Sequence, residues 1–301
     1  MVIALLSNRD GNLSSLQRHL KNHYEKLIKV LGVEKKKAVS RAQLPLILAR
    51  VSVSVFDGLL FENYGIKLNE AEREWFAIDG KELRGSIESG AKRGEAVVHA
   101  VSHLNQQVVA QDYYSGEKES EVPIVRKLLN SGDFASQKVS LDALHCKPAT
   151  LEMMAQRKGK YLVGLKENQK QMKKQIRLIS EKQPFLAKLA TSEKGHGRIE
   201  LRKYEFYDVL EMEKDERWEG CQIRTAIKVK RERIELKSGK KSVEESYYLS
   251  NEVGNYEELA KAVRLHWRVE TNNHLRDVSL KEDKMRSKKR SYNKQWRACG
   301  L

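Results

Sequence analysis

Three acidic residues of this chain have the side-chain type and the spacing that metal-assisted phosphate chemistry requires. Asp79 and Asp142 each follow a short apolar run, and Glu270 lies in a late helical stretch. Cleavage of a phosphodiester at neutral pH needs a deprotonated nucleophile and neutralised phosphate charge, which two Mg²⁺ ions about 4 Å apart supply together. Mg²⁺ takes a few carboxylate oxygens and keeps positions open for water and phosphate. These three side chains would therefore suffice if the fold brought them to one point.

The order of predicted strands and helices offers a way to bring the two aspartates together. Apolar and β-branched runs bounded by turn residues predict five strands, over residues 75–78, 96–104, 107–114, 138–144 and 161–165. Helices are predicted over 120–129, between the third and fourth strands, and over 149–156, between the fourth and fifth. This is the element order of the ribonuclease H-like fold, an α/β fold in which strands one and four are neighbours in the middle of a mixed sheet.

Each aspartate also has an ordinary structural interpretation. Asp79 precedes Gly80, and Asp-Gly is a common turn dipeptide. Asp142 has the side-chain type of a helix N-cap. The strand order favours the functional interpretation of both residues, because strands one and four would deliver the two carboxylates to the same edge of the sheet.

Glu270 belongs to a helix predicted to begin near residue 255 and to run toward residue 274. At about 100° per residue, one face of this helix carries four polar residues, which are Glu270, Asn273, His274 and Asp277. The alternative is a solvated polar stripe, but Trp267 lies on the same side and is unusual on a fully wet face. The helix also follows strand five, where this fold supplies its last metal ligand.

Beyond this core, the chain is predicted to contain two further parts. Residues 1–72 predict a helical N-terminal module for DNA binding or assembly, with a helix capped by Asn12 or Ser14 and ended by Gly32, and further helices after Ser40 and Ser52. Residues 73–170 hold the first part of the core, and residues 254–301 its final helix and the C-terminus. Residues 171–253 predict a charged helix and a mainly β insertion, with strand-like stretches at 199–209, 221–229, 233–236 and 246–250.

The charge balance indicates a polyanionic partner. The chain has 57 Lys and Arg against 41 Asp and Glu, a net charge of +16 and a pI near 9.6, which suits nucleic acid. Basic and polar residues near the acids could bind backbone phosphates, although each could equally be ordinary surface charge or polarity. The candidates are Lys81, Arg84, Lys166, Gln169, His196, Arg198, Arg202, Arg268 and His274, together with the basic run 228–233.

The composition also limits the class of protein. With 33% charged and 40% apolar residues, the chain is too apolar for a disordered protein, and it has no apolar run approaching the roughly 20 residues that span a bilayer. Residues 1–6 lack the basic leader of a signal peptide, so we expect a cytoplasmic protein. Cys146, Cys221 and Cys299 are widely separated, which predicts reduced thiols and no zinc site.

Five short blocks of sequence occur in a characteristic order. They are AIDGKELRGS at 77–86, LDALH at 141–145, GLKENQ at 164–169, GHGRIE at 195–200, and the segment 266–278 followed by 282–283. In this order they resemble the first-aspartate block, the second-aspartate block, the following strand, part of the β insertion and the glutamate block of DDE transposases from bacterial insertion sequences. The resemblance covers roughly residues 75–285 and is to the IS-four-type group called H-repeat-associated proteins.

This resemblance implies a catalytic triad, a cofactor and a partner. The triad and metal ligands would be Asp79, Asp142 and Glu270, and the cofactor would be Mg²⁺ or Mn²⁺ in a two-metal site. The implied activity is metal-dependent cleavage and strand transfer at element ends, with double-stranded element-end and target DNA as substrates and a homodimer on DNA. Two alternatives stay open: a catalytically dead remnant that binds DNA, and a nuclease of the same fold without strand transfer.

Both ends of the chain depart from the family pattern. Similar proteins continue for several dozen helical residues beyond the glutamate block, whereas residues 292–301 do not look like theirs. Residues 1–6 resemble the middle of a helix. We therefore expect a truncated or frameshifted copy with a missing leading segment, whose activity is a separate question from its ancestry.

Overall fold

A computed structural model describes most of the chain. The described residues are 13–32, scattered positions between 34 and 62, residues 73–278 with short gaps at 88, 117–118, 132–133, 135 and 214, and residue 283. No helix in these parts of the chain is long and apolar enough to cross a membrane.

The described N-terminal part is helical, as predicted, but it is divided differently. Helices α1 (Leu13–Asn22) and α2 (Tyr24–Leu31) are separate, and α3 spans Leu44–Leu48. Ser14 lies inside α1 and is not its N-cap, and Asn12 is outside the described residues. Gly32 ends α2 in the left-handed conformation at φ 61°, which glycine adopts without a Cβ penalty. The helix predicted after Ser52 lies mostly outside the described residues.

The central sheet places the first and fourth strands side by side, as predicted. Its five strands are β1 (Trp75–Glu82), β2 (Glu95–Ser102), β3 (Val108–Ser115), β4 (Lys138–Leu141) and β5 (Lys160–Leu165). They are arranged β3-β2-β1-β4-β5, with β1 antiparallel to β2, β2 antiparallel to β3, and β1–β4 and β4–β5 parallel. This mixed α/β arrangement is compatible with the expected ribonuclease H-like fold. The fourth strand is shorter than predicted, because residues 143–145 form a 3₁₀ turn.

Helices cover both faces of this sheet, which explains why its strands read as nearly continuous apolar runs. On one face, Ile78 and Val163 join a core with helices α4 (Glu121–Leu129) and α5 (Pro148–Gln156). Alternate residues of β1 point to the opposite face, where Trp75 packs near Leu259 and Ala77 packs against Val269. Those two residues belong to α7 (Tyr256–Leu265) and α8 (Trp267–Val278).

The strands of the predicted β insertion extend this same sheet. After α6 (Lys170–Lys182), the chain forms β6 (Ala187–Gly195), β7 (Arg198–Asp208), β8 (Thr225–Glu235) and β9 (Lys241–Ser250), and β9 pairs with β5 to complete nine strands. The predicted strand at 221–229 begins later, because residues 216–221 form a 3₁₀ helix. The separate strand predicted at 233–236 is wrong, since these residues mainly form the end of β8. β6 was not predicted at all.

The extension reaches past the edge at which β4 and β5 end. Leu165, the last residue of β5, lies opposite Tyr247 of antiparallel β9. Residues 241–246 of β9 therefore continue beyond that edge, by about 20 Å at the usual rise per residue, and β6, β7 and β8 continue alongside.

Candidate active site

Asp79 and Asp142 lie side by side on β1 and at the end of β4, which are neighbouring parallel strands. Ile78 of β1 is in register with Leu141 of β4, and each aspartate is the next residue in the chain, with Asp142 directly after the end of β4. Asp79 lies within β1, so Asp79-Gly80 is not a turn here. One oxygen of Asp142 accepts a hydrogen bond from the Leu144 amide at 2.8 Å and caps the 3₁₀ turn. The capping interpretation of Asp142 is thus correct for Oδ1 and leaves Oδ2 for other partners.

The predicted polar face of α8 lies against the end of β1. Asn273 Nδ2 donates to Asp79 Oδ2 at 3.4 Å, and Asn273 Oδ1 lies 3.2 Å from Nδ1 of buried His99. Lys81 Nζ pairs with Asp277 at 2.5 Å. For Asn273 and Asp277, the interpretation as a solvated stripe is therefore wrong.

Glu270 stands on the same helix, toward Asp142 and β5. Its side chain is exposed, and partial desolvation raises the pKa of its carboxyl, with Lys166 opposing this shift and Asp142 adding to it. The electrostatic neighbours of Glu270 are therefore the second aspartate and a lysine at the end of β5.

Asp79 is the most strongly perturbed carboxyl of the group. Burial, together with the charges of Glu121, Asp142 and Glu270, raises the pKa of Asp79 to about 7, against the lowering effect of a backbone hydrogen bond at Gly80. Crowded, desolvated carboxylates are costly when charged unless a cation neutralises them. Carboxylate oxygens are also the ligands that suit Mg²⁺ and Mn²⁺. Among the described residues, no three acidic, His or Cys side chains stand close enough together to hold a cation as they lie.

Glu121 is an acidic neighbour that sequence reasoning missed. It is the first residue of α4, and its carboxylate lies so close to Gly80 that a Cβ at position 80 would overlap it. Its Oε1 lies 2.8 Å from Nε2 of buried His145, and that nitrogen is 3.9 Å from Asp142 Oδ1. An acid at a helix start is common because it suits the helix dipole, so the local sequence held no signal for this position.

The loop after β5 supports the turn that follows Asp142. Asn168 donates to the Ala143 carbonyl at 2.5 Å, and Gln169 donates to the Cys146 carbonyl at 2.8 Å. Gly164 lets β5 lie close to this turn, because a Cβ at position 164 would lie 3.2 Å from the Ala143 nitrogen. The side-chain amide of Gln169, predicted to contact DNA, is thus engaged within the protein.

A hydrogen-bonded chain lies beneath the site. His103 Nε2 is 2.9 Å from Ser140 Oγ, and Ser140 Oγ is 3.0 Å from His266 Nδ1. Burial lowers the pKa of His103 to about 3 and that of His266 to about 4. The chain connects the end of β2 and the middle of β4 to the junction of α7 with α8.

The structure separates the predicted DNA contacts into two groups. Besides Gln169, three have side chains engaged mainly within the protein: Lys81 pairs with Asp277, buried Arg202 pairs with Glu200 and Glu193, and Arg268 donates to the carbonyls of His103 and Leu104. The other group is wholly or partly exposed, and its members are Arg84, Lys166, His196, Arg198 and His274. Arg198 also pairs with Glu200 at 2.7 Å. In the basic run 228–233, Arg231 pairs with Glu244 and lies 5.5 Å from the Trp267 ring centroid.

Several proteins are similar to this chain. YncI of Escherichia coli O157:H7, whose name describes a candidate transposase, is 30% identical over 261 residues, which are 79% of this chain and 64% of YncI. The H repeat-associated candidate transposase YhhI of Escherichia coli K12 is 30% identical over 220 residues, or 70% of this chain and 58% of YhhI. YbfL of the same strain matches with the same identity and coverage. The chain thus spans about three fifths of the length of these relatives.

A family model described as the transposase DDE domain matches residues 70–298. This range contains all nine strands and the helix that carries Glu270. The chain therefore belongs to the transposase DDE-domain family.

Proposed function

We propose that this chain cleaves DNA at the ends of an insertion sequence and joins the freed ends to target DNA, with Asp79, Asp142 and Glu270 as its catalytic residues. The observation that supports this most directly is the register of β1 with β4, which sets the two aspartates next to each other. The contact between Asn273 and Asp79 brings α8, the helix that carries Glu270, to the same edge of the sheet.

The three acids would hold the cations of the reaction. Asp79 and Asp142 together would hold one ion, and Glu270 with one of these aspartates would hold a second. Mg²⁺ or Mn²⁺, when bound, would neutralise phosphate charge and lower the pKa of the attacking water or hydroxyl. The acids would then keep the 3′-hydroxyl freed by cleavage in position for attack on target DNA.

The exposed basic residues around this edge would hold the DNA backbone. Lys166 stands beside Glu270 at the end of β5, and Arg84 follows β1 on the same edge. His196 lies at the tip of the β6–β7 hairpin, in the extension that passes this edge. Phosphate contacts of this kind would position a duplex without reading its sequence. A homodimer that pairs two element ends would be the assembly that acts.

The test is Mg²⁺- or Mn²⁺-dependent cleavage of DNA that carries the ends of the element. Asp142→Asn keeps the cap on the Leu144 amide but removes the charge, so we expect cleavage to be lost and DNA binding retained. Asp215→Asn changes an exposed acid paired with Arg217 and should leave cleavage unchanged. Retained cleavage in Asp79→Asn, Asp142→Asn and Glu270→Gln would exclude the assignment.

A second assay separates the proposal from its alternatives. A pre-cut element end is offered together with target DNA, and joined products are measured. Joining supports a transposase, whereas cleavage without joining indicates a nuclease. DNA binding without either reaction indicates a catalytically dead remnant.

A further inference from the structure

We propose that Glu121 is a fourth acidic residue of the catalytic centre and that buried His145 is the positioning residue that holds its carboxylate there. The inference rests on the proposed function, because it adds two residues to the same centre.

Glu121 reaches the centre from an element that carries none of the three predicted acids. Its backbone begins α4, and its side chain, 17% exposed, crosses to the β1 strand and lies on Gly80. Only a residue without a Cβ leaves that space free, and position 80 directly follows Asp79. The sequence thus provides a place for this carboxylate next to the first catalytic aspartate.

His145 holds Glu121 from the other side. The imidazole is fully buried, and its Nε2 lies 2.8 Å from Glu121 Oε1 and 3.9 Å from Asp142 Oδ1. Its Nδ1 has no hydrogen-bond partner in the described part of the chain. One nitrogen therefore faces two acids, and the hydrogen bond to Oε1 leaves Glu121 Oε2 toward Gly80 and the β1 side of the centre.

This arrangement differs from that of an acid whose role is to stabilise a helix start. Such an acid turns its carboxylate to the free amides of the first helical turn, whereas the Glu121 oxygens face His145 and Gly80. Placing another carboxylate beside Asp79 adds repulsion, and an apolar residue would pack there at lower cost. The arrangement becomes favourable when a cation is present.

Glu121 would accordingly contribute Oε2 to cation binding while Oε1 stays bonded to His145. A carboxylate ligand that is itself hydrogen-bonded is held in orientation, and loss of such outer support typically weakens metal affinity about 10- to 100-fold. His145 acts through Glu121 and Asp142 and need not touch the cation.

The test measures Mn²⁺ binding to the full chain by paramagnetic resonance of free Mn²⁺, together with the Tm with and without Mn²⁺. Glu121→Gln keeps an acceptor for His145 but removes the charge. We expect its Mn²⁺ affinity to fall about 10- to 100-fold and its Mn²⁺-induced rise in Tm to shrink, while its metal-free Tm equals or exceeds that of the wild type. Glu119→Gln, an exposed acid two residues earlier, should behave as the wild type.

The positioning role of His145 is tested by a pair of variants. His145→Gln can still present an N–H group near the place of Nε2, whereas His145→Leu cannot. We expect weaker Mn²⁺ binding in His145→Leu and at least partial recovery in His145→Gln. Equal loss in both variants would contradict the positioning role.

Two outcomes would overturn the inference, and they point to different causes. If Asp142→Asn loses Mn²⁺ binding while Glu121→Gln binds as tightly as the wild type, Glu121 is not part of the centre and the proposed function stands. If Asp142→Asn also keeps Mn²⁺ binding and cleavage, the proposed function fails, and this inference fails with it.

Discussion

Lys81 and Asp277 form a 2.5 Å ion pair that joins the end of β1 to the last turns of α8. The Lys81 side chain is only 7% exposed, and Asp283 also faces its ammonium at 4.0 Å. The pair holds the glutamate helix against the strand that carries Asp79. In this conformation, the lysine that was predicted to bind phosphate binds a carboxylate of the protein instead.

Breaking this pair from one side should destabilise the protein. Asp277→Asn removes the nearest charged partner of the buried Lys81 ammonium, so we expect a loss in the free energy of unfolding on the order of 3 kcal/mol, the lower end for a broken buried pair. The measurement is urea unfolding of Asp277→Asn, Lys81→Met and the double variant. The double variant should be more stable than Asp277→Asn alone. If the two single changes in the free energy of unfolding simply add in the double variant, the two residues are not a coupled pair.

The raised pKa of Asp79 predicts a pH dependence in metal-free protein. The folded pKa of about 7 exceeds the ordinary value of 3.8, so the folded state retains a proton that the unfolded state has lost, and stability falls as pH rises from about 4 to 7. Asp79→Asn should therefore be more stable than the wild type by roughly 2 kcal/mol at pH 8, a value discounted for partial exposure, and similar to it at pH 3. Denaturant unfolding across this range measures the difference.

Metal provides the control for that prediction. At pH 8 and saturating Mg²⁺, the wild type should gain stability by ligand linkage, and Asp79→Asn should gain less. If Asp79→Asn exceeds the wild type in stability by the same amount at pH 3 and pH 8, ionisation of Asp79 is not the cause of the difference.

His103 predicts a dependence of the opposite sign. Burial lowers the pKa of His103 from 6.5 to about 3, so below pH 6.5 the unfolded state binds a proton that the folded state excludes, and stability is lost as pH falls. His103→Gln, which can keep a donor for Ser140, should remove about 2 kcal/mol of the stability difference between pH 7 and pH 5. His274→Gln, at an exposed position, should leave that difference unchanged in the same unfolding experiment.

Gly80→Ala tests the space beneath Glu121. The new methyl group would meet the flexible end of the Glu121 side chain, so we expect the protein to fold with a Tm within a few degrees of the wild type while Glu121 is displaced. Its Mn²⁺ affinity should fall about as far as that of Glu121→Gln.

Combining Gly80→Ala with Glu121→Gln provides the control, because both changes act on one carboxylate. The losses in Mn²⁺ affinity should then not add. Additive losses would show that Gly80 affects the site by some other route.

The sequence predicted the central sheet and part of the α8 face that lies against β1 for identifiable reasons. β1 and β2 are buried on both faces and therefore appear as apolar runs in the sequence. The polar face of α8 could be predicted because helical periodicity places residues 270, 273 and 277 on one side of the helix. β6 was not predicted because most of its side chains are exposed, and its sequence therefore lacks the apolar pattern of a strand.

Partners distant in sequence explain what was missed at the site. Glu121, Arg202 and Arg268 each face groups that other elements bring to them, which are His145 with Gly80, Glu193 of β6, and two carbonyls after β2. A single sequence shows that these residues are charged but does not show what they face. Their roles in cation or DNA binding stay predictions.

The extension of β6 to β9 makes the two flanks of the edge that carries Asp79 and Asp142 unequal. Past Asp79, β1 continues for three residues to Glu82 with β2 and β3 alongside, whereas residues 241–246 of β9 continue for six residues beyond the end of β5, with β6, β7 and β8 alongside. A duplex laid across Asp79 and Asp142 would meet shorter strands on the β3 side than on the β9 side, so its two orientations would differ in steric cost. The polarity with which a DNA strand faces the acids would then be set by the shape of the sheet before any base is read.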